Sequence, residues 1–137
     1  MNTRIGSLYL LAPLLVSGCG RTSNVEMKEV HSFGMAYHFY NAEKDRPPQQ
    51  VEDLEAQSSE FPTLYKQIQQ GEFIVVWNAA LCPDGNENDK YVLGYEKGVP
   101  DSGGYVLLGG GFVTRMTPEQ FQTQPKISQR PRTEHAK

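Results

Sequence analysis

The chain has 137 residues, of which 38% are hydrophobic and 21% are charged, and its net charge at pH 7 is −3. This length suits one domain with one core and is too short for two. Four of the basic residues lie in residues 124–137 beside a single acidic residue, so the rest of the chain is acidic. Because phosphate binding needs Lys and Arg clustered on a folded face, this balance argues against nucleic acid as a partner.

The first residues of the chain have the pattern of an export signal. Arg4 supplies a positive start, and residues 5–16 form an apolar segment that is too short to span a bilayer. The segment ends in Val16-Ser17-Gly18-Cys19, which resembles the bacterial lipobox, where the cysteine is acylated and becomes the first mature residue. We therefore expect residues 1–18 to be removed as a lipoprotein signal peptide.

Acylation of Cys19 predicts where the protein is located. Several acyl chains anchor a protein stably in a bilayer, so we expect a cell-envelope protein that faces the periplasm or the exterior. Residues 19–24 then form the lipidated N terminus and a linker. Gly20 stands where an aspartate retains many lipoproteins at the inner membrane, which favours the outer membrane.

Two alternatives remain for Cys19, a free thiol and a disulfide with Cys82, the only other cysteine. If Cys19 is acylated, Cys82 has no intramolecular partner. Cys82 then resembles a half-buried turn residue, and without a nearby basic group or histidine it is a poor nucleophile.

The next part of the chain predicts helices. Apolar residues at helical spacing predict a helix over about 25–44, in which the interior Gly34 costs about 1 kcal/mol relative to Ala and suggests that another backbone approaches closely there. A double proline ends this helix, a short acidic helical turn follows at 51–56, and a second helix runs from Pro62 to Gly71. The buried stripe of the first helix is predicted to contain Met27, Val30, Gly34, Tyr37 and Asn41, flanked by Phe33, Ala36 and Tyr40.

Strands follow in close succession. Apolar, β-branched and aromatic runs predict strands at 73–77, 91–95, 105–108 and 112–116. Residues 109–111, all glycine, predict a hairpin with a two-residue turn of a primed type between the last two strands. Thr117 and Gln120 predict a capping box for a final helical turn, after which Phe121 packs back on the sheet.

These elements predict an α+β fold, with an N-terminal amphipathic helix on a three- to four-stranded antiparallel sheet. We expect the domain to occupy residues 25–123 and residues 124–137 to form a disordered basic tail.

This order of elements resembles the globular head of bacterial prepilin-type or type II secretion pseudopilin-like domains. In that family a helix with a Tyr-His motif precedes a glycine-rich hairpin. The residues that carry the resemblance are Gly34 to Asn41, Tyr91 to Lys97, Tyr105 to Val113 and Thr117 to Phe121. Two features depart from the family: its signal with a long apolar helix is replaced by the lipobox, and its Asp-Gly turn is Gly110-Gly111. The resemblance implies a pilin-like head tethered by lipid, with no helical stem for packing into a pseudopilus.

Catalytic motifs are scarce in this sequence. His31 and His38 share a helix face, but a spacing of seven residues is too long for both rings to bind one zinc ion. His38 is expected to pack or to complete a hydrogen bond to the sheet. Without a nucleophile elbow, phosphate loop or dinucleotide fingerprint, the sequence predicts no enzyme and no catalytic residue.

One loop has weak calcium-binding character. Asp84, Asn86, Asn88 and Asp89 place oxygen atoms at near-alternate positions, as at the start of a calcium loop, but the glycine and glutamate of such a loop are missing. A solvated Asx-rich turn explains the same residues. We therefore expect no obligatory cofactor.

The sequence thus predicts an envelope lipoprotein with a non-catalytic head that contacts other envelope proteins, as an accessory to a secretion or pilus-like assembly. The alternative is a module that binds a small ligand or a cell-wall polymer through aromatic residues on an open sheet face, such as Trp77, Tyr95 and Tyr105.

Overall fold

A computed structural model of the chain describes residues 25–82 and 85–129. It is an α+β fold with an N-terminal helix and a four-stranded antiparallel sheet, as predicted. The elements in chain order are α1 (Met27–Lys44), a 3₁₀ segment (Val51–Glu60), α2 (Pro62–Gln69), β1 (Phe73–Val75), α3 (Gly85–Asn88), β2 (Val92–Glu96), α4 (Val99–Ser102), β3 (Gly104–Leu108), β4 (Val113–Met116), α5 (Pro118–Thr123) and a 3₁₀ turn (Ile127–Gln129).

Helix α1 buries one face against the sheet, the 3₁₀ segment and α2. Val30, Phe33 and Tyr37 on this face are fully buried. The predicted stripe is wrong at its start, because the Met27 side chain is 52% exposed. Met27 lies on the solvent side of α1, although its spacing from Val30 and Gly34 fits the stripe.

The sheet is a simple antiparallel meander in the order β1-β2-β3-β4. The hairpin between β3 and β4 is confirmed, but its predicted two-residue turn is wrong. Gly111 donates from its amide to the Leu108 carbonyl at 3.0 Å, and Leu108 donates to the Phe112 carbonyl at 2.8 Å. These bonds enclose a three-residue loop, Gly109 to Gly111, which ends with Gly111 in the left-handed region at φ 95°.

Both faces of the sheet are covered. On one face Leu93 and Leu107 join the core beneath α1, and on the other Val92 and Val106 form a smaller core with Phe121 of α5. The predicted return of Phe121 to the sheet and the Thr117–Gln120 capping box are therefore confirmed. The predicted open sheet face is wrong, since α4 and α5 cover it.

The folded domain extends past the predicted boundary at residue 123. The Val92 amide donates to the Pro125 carbonyl at 2.9 Å, Lys126 forms a parallel bridge with Val92, and Ile127 is only 4% exposed. The expectation of a disordered tail is thus wrong for residues 124–129, because Ile127 anchors them on the main core. Residues 130–137 lie outside the described part of the chain.

The predicted signal peptide, lipobox and linker, residues 1–24 including Cys19, also lie outside the described residues. Within residues 25–82 and 85–129, no helix is long and apolar enough to cross a membrane.

Candidate functional site

The two histidines of α1 hold the glycine hairpin against the helix. Nδ1 of His31 donates to the carbonyl oxygen of Gly111 at 3.0 Å, and Nε2 of His38 donates to the carbonyl oxygen of Gly109 at 2.6 Å. Because carbonyl oxygens only accept, these nitrogens carry the ring protons. The predicted hydrogen bond from His38 to the sheet is confirmed at the end of β3, and both histidines have structural partners.

Gly34 lets the hairpin approach the helix closely. A Cβ atom at Gly34 would lie 3.1 Å from Cδ1 of Leu107 and 3.4 Å from the Cα of Gly111. The first distance is tighter than ordinary van der Waals contact. The backbone approach expected from the sequence is therefore confirmed, and its partner is the three-glycine loop.

The solvent side of α1 is unusually apolar beside this loop. Met27, His31, Met35 and Phe39 are each four residues apart, so they form one continuous row along the helix, which we call the exposed row. Met27, Met35 and Phe39 are 52, 52 and 57% exposed. Phe112, just after the hairpin loop, is 68% exposed.

A shallow groove lies between the exposed row and the hairpin. Its volume is about 250 Å³ and its lining consists of Met27, His31, Gly110, Gly111, Phe112 and Val113. Among the residues that the structure describes, no carboxylate lines this groove. It is smaller than the roughly 300–1,000 Å³ clefts that enclose small ligands, so its shape suits contact with a surface better than enclosure of a ligand.

Of the four candidate calcium residues, the structure describes the side chains of Asn88 and Asp89, and it does not place them together as ligands of one ion. The Asn88 side chain accepts from the Cys82 amide and donates to the Cys82 carbonyl, both at 2.9 Å, which ties α3 to the preceding turn. Asp89 directs its carboxylate toward Gly110, and its buried Oδ1 has no hydrogen-bond partner among the described residues. Asp84 and the side chain of Asn86 lie outside the described part.

The remaining candidate residues serve the fold. Trp77 packs on Phe33 and Tyr37, and the ring of Tyr95 lies 4.7 Å from that of Phe121. The guanidinium of Arg115 lies over the ring of Tyr105, 5.0 Å from the ring centroid. These aromatic residues do not form the open platform that a polymer-binding module would use. Cys82 is half-buried, with a free thiol.

Across residues 25–82 and 85–129, no group of three or more His, Cys, Asp or Glu side chains is arranged to hold a metal ion. Comparison of the chain with family models, with curated proteins and with solved structures finds no match in any of the three.

Sequence reasoning missed the exposed row and Phe112. The available signal was the four-residue spacing of Met27, His31, Met35 and Phe39 on the side opposite Val30 and Tyr37. Met27 also fits the spacing of the buried stripe, so the sequence pattern does not distinguish the second apolar side of α1.

Proposed function

We propose that this chain is a lipid-anchored envelope protein whose domain is a non-catalytic, pseudopilin-like head that contacts other envelope proteins, as an accessory to a secretion or pilus-like assembly. The lipobox pattern ending at Cys19 supports the anchor. The order of helix, glycine hairpin and capped turn supports the kind of head.

The free edge of β4 carries the proposal of protein contacts. In the sheet order, β4 is the last strand and pairs with β3. Since Leu108 bonds to Phe112, the alternation of an antiparallel ladder directs the amides of Thr114 and Met116 toward β3. The amides of Val113 and Arg115 point away from the sheet and donate to no residue that the structure describes.

An unpaired strand edge accepts an extended segment of another protein by main-chain hydrogen bonds. The exposed Arg115 limits unselective pairing, because a charged side chain on an edge disfavours aggregation. We therefore assign the partner-binding role to the outer edge of β4, with an extended peptide segment as the ligand.

A single proline substitution on the outer edge of β4 tests this function. Arg115→Pro removes an outward amide without breaking the β3–β4 ladder, and Arg115→Ala is the matched control because it loses the same side chain and keeps the amide. The tagged full chain is crosslinked in cells, purified in detergent, and its partners are identified by mass spectrometry. We expect secretion or pilus-type components with the parent and Arg115→Ala, and at least a fivefold lower yield with Arg115→Pro.

Equal partner yields from both variants would rule out the β4 edge, provided that their melting temperatures agree. Recovery of the protein alone from cells would refute the assembly role and shift the account to an autonomous binding module.

A further inference from the structure

Helix α1 is apolar on two opposite sides, and the fold covers only one of them. Its buried side contributes Phe33 and Tyr37 to the main core, while the exposed row places Met27, Met35 and Phe39 in solvent. Large apolar side chains that are exposed next to one another mark an interaction surface, so the row and the adjacent Phe112 call for a partner.

The position of this surface relative to the proposed anchor restricts the partner. Val25 lies six positions after Cys19, so a lipid on Cys19 holds the start of α1 within about 20 Å of the bilayer. Met27 is the first residue of α1, and His31 follows only about 6 Å further along the axis. Phe112 borders the groove beside these two residues, at the same end of the helix.

The size of the surface also favours lipid over protein. A standard protein interface takes roughly 20–30 residues from each side, with a polar rim around an apolar centre. The exposed row and Phe112 together supply four large apolar side chains. That number is small for a stable dimer, but it suits an apolar edge that enters the headgroup boundary by about 5–10 Å.

Charge around the surface is consistent with this assignment. Within the described part of the chain the groove lining contains no carboxylate, and the carboxylate nearest to it that the glycine contacts show is that of Asp89 against Gly110. The neighbouring Lys28 is exposed, so its stem can lie along the surface while the ammonium group meets headgroups. The acidic 3₁₀ segment packs through Leu54 into the core on the buried side of α1. The negative charge of that segment therefore lies away from the exposed row.

We propose that the exposed row and Phe112 rest on the lipid bilayer that holds the anchor, so that the head lies against the membrane in one orientation. This inference rests on the proposed anchor at Cys19. The outer edge of β4 stays the proposed site for protein partners, and it adjoins this surface at Val113.

Tryptophan quenching in vesicles tests the placement. The full-length protein purified from membranes is reconstituted into vesicles of phosphatidylethanolamine and phosphatidylglycerol, with or without brominated acyl chains. Phe112→Trp reports on the surface, and Lys66→Trp on the exposed side of α2 is the matched control. The parent protein gives the background emission of Trp77, whose ring packs on Phe33 and Tyr37.

We expect brominated lipid to reduce the emission of the residue 112 reporter at least twofold and to leave the residue 66 reporter unchanged. Adding Met35→Asp and Phe39→Asp to the Phe112→Trp protein should abolish the quenching while the protein still floats with the vesicles. Since both side chains are more than half exposed, the melting temperature should not change.

The possible outcomes distinguish the membrane contact of the exposed row from the anchor at Cys19. A protein that floats with the vesicles and shows no quenching at residue 112 overturns the membrane contact while the anchor stands, and assigns the row to a protein partner or a second copy. A protein that neither floats nor carries lipid by intact mass overturns the anchor, and with it the placement of the row.

Discussion

Replacement of Tyr37 by Phe should be one of the most damaging single-atom changes in this domain. The Tyr37 side chain is fully buried. Its hydroxyl donates to the Val76 carbonyl at 3.0 Å and accepts from the Ala79 amide at 3.1 Å, which joins α1 to the chain that leaves β1. Without the hydroxyl, two backbone groups lose a partner, and the free energy of unfolding should fall by about 2–4 kcal/mol.

The same residue should make the protein sensitive to high pH. Burial raises the pKa of Tyr37 from about 10 to about 12, an effect that the hydrogen bond from Ala79 partly offsets. The folded state therefore holds a proton that the unfolded chain releases. The stabilisation is complete below pH 10 and is lost as the pH rises to 12, by an amount on the order of 3 kcal/mol.

Urea unfolding followed by circular dichroism measures both effects, at pH 7 and between pH 10 and 12. Tyr37→Phe should lower the stability at pH 7 and flatten the decline at high pH. Tyr40→Phe is the matched control, because the Tyr40 hydroxyl makes no hydrogen bond with the described residues and its loss should cost less than about 1 kcal/mol. A loss below about 0.5 kcal/mol for Tyr37→Phe, or an unchanged slope above pH 10, would refute the reasoning.

Three further predictions concern other parts of the fold. The carboxylate of Glu29 accepts from the amides of Thr63 and Leu64 at 3.2 and 2.9 Å and so caps α2, whose own N-cap residue supplies no side-chain bond. In urea unfolding, Glu29→Ala should lower the free energy of unfolding by about 2 kcal/mol and Glu29→Gln by less. Equal losses for the two variants would argue against the cap. His38→Ala should lower the free energy of unfolding by about 1 kcal/mol and speed hydrogen exchange of the amides in the glycine loop. Loss of a measurable activity without loss of stability would contradict the structural role of His38. Millimolar calcium and a chelator should give the same melting temperature, and a calcium-dependent increase would contradict this expectation by showing that the folded chain binds the ion.

The helical and strand pattern of this domain could be predicted because local signals agree with tertiary packing. The start of α1 was predicted within two residues, and Gly34 indicated a close backbone approach that the hairpin loop supplies. Thr117 and Gln120 predicted a capping box from spacing alone, because both bonds are made within one turn.

The incorrect predictions come from features that local patterns do not determine. Met27 fits the spacing of the buried stripe, but the apolar residues of α1 lie on two sides and spacing alone does not show which side meets the sheet. The glycine loop takes three residues, since a run of glycines permits several turn types equally well. Ile127 packs on the main core although its neighbours in the sequence are polar, because one apolar side chain is enough to join that core.

The exposed row could have been found from the sequence, whereas its use could not. The spacings of eight residues from Met27 to Met35 and of four from Met35 to Phe39 indicate a second apolar side. That this side stays outside the core depends on how α2 and the hairpin pack around α1, which only the tertiary structure shows.

We propose that a lipid on Cys19 holds this head at a membrane. Intact mass spectrometry of the protein extracted from membranes tests it most directly. We expect the mass of residues 19–137 plus a diacylglycerol group and, where present, a further acyl chain. A mass equal to that of an unmodified chain would contradict the anchor and the membrane contact of the exposed row.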